Sequence, residues 1–522
     1  RVLFRSPRHD EVTVAIIGAG FAGLCTGAKL VEAGIDDLLL IDGAGDVGGV
    51  WYWNRYPGAM CDTAAMIYLP MLEETGRMPS AKYVHAPEIH EHARAIATTY
   101  GLHERALLST EVESVTWDEA SARWVIRTDR GDAIRARFVA MGTGPLHRPK
   151  LPSIPGIETF AGPAFHTSRW DYGVTGGTPD GEPMTRLSAL RVGIIGTGAT
   201  AVQCIPALGR DAGVLEVFQR TPSSIDVRDD WETDPEWAAK LQPGWQAARR
   251  AKAFTEPPLP TLQLQRRQTF TAEEKLRAQE NANIDYMMRI HKRIDEIVED
   301  RTTADALKPW YMFMCKRPCF HNDYLPTYNR PNVHLVDTHG KGILEIGENG
   351  PIFEGKEYPL DLLIYATGFE VQKTGTWNRI TGEGGRDLQD KYADGIRTLL
   401  GIHTHGYPNM FIMGGYQASF NFNLTDVLQA QGDHIAACID HVRTNGYATI
   451  DCTEAAEDWW VEEVIEHRGK TNRNAECTPG YYNFEGEFNR RQDGNYNGGF
   501  PKYYANLGAA REKMTENFTF TK

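Results

Sequence analysis

Two short glycine-rich runs, Gly18-Ala-Gly20-Phe-Ala-Gly23 and Gly196-Thr-Gly198-Ala-Thr-Ala201, carry the first chemical information in this chain. In such a run the first glycine permits a tight turn, the second lets backbone approach a pyrophosphate, and the third brings helix against strand; alanine, as at Ala201, is tolerated there. The N–H groups at the start of the following helix then face the phosphates. Twenty-four residues beyond each first glycine the two runs differ in sign, with Asp42 after Gly18 and Arg220 after Gly196. A carboxylate at that distance accepts from a ribose hydroxyl and would repel a 2′-phosphate, whereas a guanidinium pairs with that phosphate through two charge-assisted hydrogen bonds. Together they predict FAD in the first fold and NADPH, in preference to NADH, in the second. The plainer readings are a glycine-rich turn with no ligand and a solvated surface arginine at 220.

The elements that must hold these turns surround them. Val12–Ile17 is a β-branched run leading into the first turn, an Ala/Leu-rich helix extends to about Glu32, and Leu38–Ile41 is the next strand. The grammar repeats with Arg191–Ile195, a helix beginning around Val202, and Leu215–Gln219. Phe138–Gly142 running into Thr143-Gly144-Pro145, and Leu362–Ala366 running into Thr367-Gly368-Phe369, read as the exits where the chain crosses between folds. The expected class is α/β with two Rossmann-like dinucleotide-binding domains. Residues 1–145 form the first part of the FAD domain, 146–365 the NADP domain, and 366–522 the second part of the FAD domain with C-terminal loops. A helical excursion over about 231–310 includes an amphipathic helix from Ala272 to Ile297, and Gly173–Leu190, rich in Gly, Pro, Thr and Asp, reads as a mobile loop.

A chain of 522 residues is too long for one core, and 41% hydrophobic with 24% charged residues is ordinary for a soluble globular protein. A formal charge of −14, with no Lys/Arg-rich block, disfavours nucleic acid and anionic membrane surfaces as partners. Apolar stretches are of strand length, short of the roughly 20 residues a spanning helix needs. The sequence opens at Arg1 with no apolar signal core, so a cytoplasmic protein is expected, monomeric or weakly homo-oligomeric. Eight scattered cysteines form no disulfide framework and read mostly as reduced core residues. Cys315 and Cys319 lack a second ligand pair at zinc spacing, so no metal site is expected.

Longer motifs name the chemistry. The run Phe160-Ala-Gly162-Pro-Ala-Phe-His166-Thr-Ser-Arg-Trp170-Asp171 resembles the fingerprint of type I Baeyer–Villiger monooxygenases, F-x-G-x-x-x-H-T-x-x-W-[P/D], at every specified position. The run Gly48-Gly49-Val-Trp51-Tyr-Trp-Asn-Arg-Tyr56-Pro-Gly58-Ala-Met-Cys-Asp62 is similar to the family's second motif, on the FAD side. The resemblance implies NADPH- and dioxygen-dependent insertion of one oxygen beside a ketone carbonyl, giving an ester or lactone via an anionic peroxyflavin. It further implies that Phe160, Gly162, His166 and Trp170 link domain motion to turnover, and that Gly49, Trp51 and Tyr56 belong to the cofactor site. Arg317, in Phe313-Met-Cys-Lys-Arg-Pro318, is implied as the catalytic cation, oriented by Asp62. A guanidinium suits that role because it stays charged when desolvated and stabilises both the peroxide and the alkoxide formed on addition. Lys316 is carried over as a contact to the 2′-phosphate beside Arg220 and Thr221.

Two stretches depart from the family or sharpen the reading. Where many members carry a C-terminal Trp-Tyr segment over the cofactor, this chain has Pro479-Gly-Tyr-Tyr-Asn-Phe-Glu-Gly486, so that contact is not implied here. Tyr416, Phe420 and Phe422 in the run from Gly414 to Asn423 are candidate pocket residues, and this run looks like the branch acting on large-ring or bulky ketones. Three rivals share parts of the pattern. A flavin monooxygenase oxidising amine nitrogen or thioether sulfur would need neither Arg317 nor the full fingerprint, a disulfide reductase would need a cysteine pair against the flavin, and a non-catalytic dinucleotide sensor would keep the folds without turnover.

Overall fold

The computed structural model describes residues 5–255, 271–371, 379–419, 423–468, 477–480 and 492–522. The apolar run Val14-Ala-Ile16 is fully buried, which is why it does not alternate with polar residues: it lies inside a mixed sheet, paired parallel on both sides and covered on both faces. In that eight-stranded sheet the order is Ile380–Thr381, Val112–Asp118, Arg123–Thr128, Ala133–Met141, Glu11–Ile17, Leu38–Ile41 and Ala106–Leu107. Ala133–Met141 serves two partners on one edge. Its first half pairs antiparallel with Arg123–Thr128, and its second half pairs parallel with Met410–Ile412, Val139 facing Met410. The helix Leu424–Thr444 then packs on Phe21–Glu32, where a Cβ at Gly432 would lie 3.4 Å from the Thr26 Cα.

The second sheet is wholly parallel, in the order Val333–Asp337, Val214–Gln219, Arg191–Ile195, Leu362–Tyr365 and Ala164–His166. Four of its strands come from between the two runs expected to be crossings, Phe138–Gly142 and Leu362–Ala366, and the fifth, Leu362–Tyr365, is the second of those runs itself. Of the helices in the predicted excursion, Trp245–Thr255 packs on the first core, its Arg250 donating to the Ile67 carbonyl at 3.2 Å and the Leu69 carbonyl at 3.1 Å, whereas Arg301–Leu307 and Ala272–Ile297, the latter bounded by a Thr271/Glu274 capping box, pack on the second. Tyr286, Met287, Ile290 and Ile294 are the buried side of Ala272–Ile297, a spacing of three and four that matches its amphipathic pattern.

Three expectations change. The helix after the second glycine turn spans Ala199–Asp211, starting three residues before Val202 because Gly198 itself closes the turn. The segment 173–190 contains the single turns Tyr172–Thr175 and Thr185–Leu187, with Met184 and Leu187 fully buried; the Met184 N–H donates to Asp211 at 2.8 Å. Six cysteines are free and buried as expected, but Cys315 is bonded to Cys477, with a Cα–Cα distance of 5.2 Å across 162 residues of sequence. Cys319, considered beside Cys315 as a metal ligand, is one of the free six. Among the described residues no helix is long and apolar enough to cross a membrane.

Candidate active site

Both glycine turns have the geometry their sequences require. Gly18 has φ +107°, and a Cβ there would meet the Gly142 carbonyl oxygen at 2.4 Å; at Gly23 it would meet the Gly18 oxygen at 1.9 Å. Gly196 repeats this with φ +111° against the Ala366 oxygen at 2.5 Å, while the space around Gly198 is open to 4 Å. Ala201 is fully buried, which explains why a small residue suffices there. The helices that follow, Phe21–Glu32 and Ala199–Asp211, have Gly20 and Gly198 as N-caps, no capping side chain and no acidic residue in the first turn. Each presents uncapped N–H groups and the positive end of its dipole to a turn narrowed to backbone, so both fit a dinucleotide pyrophosphate. Gly49, at φ +57°, backs the first turn, where a Cβ would meet the Gly20 Cα at 2.7 Å.

The carboxylate of Asp42 accepts from the Ala19 N–H at 2.6 Å and the Ala44 N–H at 2.7 Å, fastening the first turn to the loop after Leu38–Ile41. Burial pushes its pKa up while those two N–H groups pull it down. At the second site Arg220 is exposed and donates to the Pro479 carbonyl at 3.3 Å. Lys316 stands 5.5 Å from the centre of the Tyr311 ring. The disulfide joins Cys315, beside Lys316, to Cys477, two residues before Pro479, so both predicted phosphate-reading cations border the same short segment. The Thr221 carbonyl accepts from the Thr197 hydroxyl at 2.9 Å, tying the strand end to the glycine turn. Sequence reasoning missed this bridge because Cys477 lies far away in the chain and no spacing rule connects it to Cys315.

Asp62 and Arg317, 255 residues apart, meet with Arg317 Nη2 donating to Asp62 Oδ2 at 3.1 Å. The Asp62 side chain is 9% exposed and that of Arg317 40%, so a buried carboxylate holds a partly exposed cation. A third member was not foreseen. Arg228, 7% exposed, donates through Nη2 to Asp62 Oδ1 and to the Phe320 carbonyl at 2.7 Å, and through Nε to the same carbonyl at 3.0 Å. Nearby, burial pushes the Cys61 thiol up to about 11 and the Cys319 thiol up to about 12. Both stay protonated, which removes the thiolate a disulfide reductase would need. His321 is held down at about 4, chiefly by burial and then by Arg228, and is neutral.

Tyr56 donates to Gln203 Oε1 at 2.8 Å, and Gln203 Nε2 donates to the Met60 carbonyl at 3.0 Å, so this motif fastens the first fold to the helix of the second. Gly58 allows the contact, since a Cβ there would meet the Gln203 carbonyl oxygen at 2.4 Å. Trp51 Nε1 donates to the Tyr68 hydroxyl at 2.8 Å. In the fingerprint, a Cβ at Gly162 would strike the Phe160 ring at 2.7 Å, Trp170 packs against Phe165 with ring centres 5.4 Å apart, and His166 meets Phe369, in the returning crossing, at 5.6 Å. His166 Nδ1 lies 2.8 Å from the Ser168 hydroxyl, and burial lowers its pKa to about 4, so the imidazole is neutral. Tyr416 lines a cavity of about 30 Å³ with Thr143, Gly144, Met413 and Gly414, at the carboxyl ends of the strands Ala133–Met141 and Met410–Ile412. Phe420 and Phe422 lie outside the described residues.

Comparison with known proteins agrees with this geometry. Residues 15–175 match the family model described as pyridine nucleotide-disulphide oxidoreductase. Neopentalenolactone D synthase of Streptomyces avermitilis is 47% identical over 511 residues, covering 92% of this chain and 85% of that protein. A Baeyer–Villiger monooxygenase of Streptomyces coelicolor is 44% identical over 507 residues, covering 92% and 84%. The structure of a polycyclic ketone monooxygenase from Thermothelomyces thermophila superposes with a TM-score of 0.93 at 37% identity, covering 99% of this chain and 91% of that one. With two bare-ended dinucleotide turns and an Arg317–Asp62 pair, and with these relatives, this chain belongs to the Baeyer–Villiger monooxygenases, enzymes that take FAD and NADPH and insert one oxygen beside a ketone carbonyl.

Proposed function

We propose that the substrate is a bulky, multi-ring ketone, that the product is a lactone or ester, and that Arg317 is the cation on which the oxygen insertion depends. The observation that carries this reading is the Arg317–Asp62 contact: a carboxylate 9% exposed fixes one edge of a guanidinium that is 40% exposed. Reduced flavin and dioxygen supply the oxygen atom. Arg317 offsets negative charge where it develops, first on the attacking oxygen and then on the former carbonyl oxygen, and its charge survives desolvation, which a lysine's would not. Asp62 keeps that charge in place, so no reorganisation is needed as the reaction proceeds.

Arg220, Lys316 and Thr221 are assigned to the 2′-phosphate of NADPH, and the Gly196–Ala201 turn to its pyrophosphate. Gly18, Gly20, Gly23 and Gly49 are assigned to FAD, with Asp42 at its ribose, Trp51 and Tyr56 framing that site, and Tyr416 at the pocket wall. Phe160, Gly162, His166 and Trp170 form the joint through which the NADP side moves; motion there would open and close the site to water. The unit boundaries that fit this division are 145/146 and 365/366, and the proposed compartment is the cytoplasm. A multi-ring ketone is supported by the similarity to proteins named for a pentalenolactone-type product and for polycyclic ketones. The test is a panel of ketones from single small rings to fused tetracycles, scored by NADPH consumed and by a product mass one oxygen heavier. Turnover confined to the small rings overturns the substrate assignment, and peroxide as the sole product across the panel overturns the role of Arg317.

A further inference from the structure

We infer that Arg228 is a positioning residue for the reaction: it holds Asp62 from the side opposite Arg317, so that one carboxylate orients the reacting cation without neutralising it. The inference rests on the role proposed for Arg317 and adds the member that makes the geometry work. Asp62 uses its two oxygens separately, Oδ2 toward Arg317 at 3.1 Å and Oδ1 toward Arg228. Left with Arg317 alone, a carboxylate and a guanidinium settle into the paired two-bond arrangement in which each charge cancels the other. With Oδ1 committed to Arg228, Asp62 shares its negative charge between two cations, and the trio keeps one net positive charge. The neighbouring titratable groups Cys61, Cys319 and His321 are all held neutral, chiefly by burial, and add nothing to the balance.

Arg228 is itself fixed on every side. Its N–H donates to Asn322 Oδ1 at 3.0 Å, and its carbonyl accepts from Asn322 Nδ2 at 3.0 Å. Its guanidinium reaches the Cys61 carbonyl at 3.4 Å and the Phe320 carbonyl at 2.7 Å, and lies 5.2 Å from the centre of the Tyr83 ring. Phe320 belongs to the strand Cys319–Phe320, which pairs with Ile225–Asp226 and begins two residues after Arg317. The same side chain therefore sets the position of Asp62 and of the backbone that delivers Arg317. Five donors on a rigid plane can bridge three acceptors in this way; the ammonium of a lysine, a single point on a flexible stem, cannot.

The experiment is a mutant cycle of Arg228→Met and Asp62→Asn in the full-length holoenzyme, with a crystal structure of the cofactor-free Arg228→Met variant. Arg228→Met is expected to reduce native-like flavin at the native rate while forming ester about 10- to 100-fold more slowly, the loss typical of a misplaced charge. Arg228→Lys should recover part of that loss. In the crystal, Asp62 turns both oxygens toward Arg317. If Arg228 acts through Asp62, the double variant is no slower than Asp62→Asn alone, whereas a role confined to general stability makes the two losses multiply. Native ester formation by Arg228→Met, an unmoved Asp62, or multiplying losses would each overturn the inference. Should Arg228→Met not fold, Arg228→Lys is run through the same cycle and judged by the same non-additivity. An active Arg317→Ala would sink the earlier reading instead, so the two failures are distinguishable.

Discussion

Substituting Arg317 by Ala removes a cation from a buried carboxylate, a change that in an isolated pair costs about 3–5 kcal/mol of stability because a charge is left unpaired. Here Asp62 keeps Arg228 on its other oxygen, and the lost partner is 40% exposed. The expected stability cost is therefore that of a half-exposed ion pair, about 1 kcal/mol or less. The catalytic cost is larger. A donor aimed at developing negative charge contributes about 3–4 kcal/mol, or roughly 10²- to 10³-fold in rate. Arg317→Ala should thus melt within a few degrees of the parent, be reduced by NADPH at a near-native rate in anaerobic rapid mixing, and release its reducing equivalents as hydrogen peroxide. Product mass and a peroxidase-coupled assay read the partition between ester and peroxide directly. Ester formation within a few-fold of native refutes the role of Arg317, and a melting temperature lowered as for an orphaned charge refutes the claim that Arg228 secures Asp62.

Three further outcomes are expected. Arg220→Ala should erase most of the preference for NADPH over NADH, measured as the ratio of kcat/KM values, while leaving NADH use intact; an unchanged ratio shows that the 2′-phosphate is read elsewhere. Cys477→Ser, or treatment with a dithiol, frees the segment that meets Arg220, and should raise the KM for NADPH and increase peroxide release, since the bridge anchors Pro479 beside that cation. Acid should destabilise the protein between pH 6.5 and about 4: His92, His166 and His321 are each lowered from 6.5 to about 4 by burial, so the unfolded chain binds more protons than the folded one across that window. The stability they contribute is complete above 6.5 and lost as pH falls through 4, and His166→Asn should flatten part of that slope in chemical denaturation.

What the sequence discloses and what it conceals divide along chain distance. The turns at Gly18 and Gly196 were readable because strand, glycines and helix are contiguous and each carries its own signal. The placement of Asp42 and Arg220 directly after a strand was readable because a strand of fixed length sets their distance from the turn. The segment 173–190 misled because its Gly, Pro and Asp content masks Met184 and Leu187, which anchor it in the second core. Arg228 and the Cys315–Cys477 bond had no local signature: one meets a partner 166 residues away, the other a partner 162 residues away, and neither contact exists until distant segments of the chain pack together.

The way Ala133–Met141 is shared between Arg123–Thr128 and Met410–Ile412 has a consequence for biosynthesis. The nascent first sheet waits with one flank of Val139–Met141 uncovered until Met410 emerges. At translation speeds of about 5–20 residues per second that wait is roughly a quarter of a minute to a minute. The five-stranded sheet, whose strands all fall between Ala164 and Tyr365, can complete itself in the interval. The part of the protein begun second is thus finished first, and the part begun first remains the vulnerable one on the ribosome.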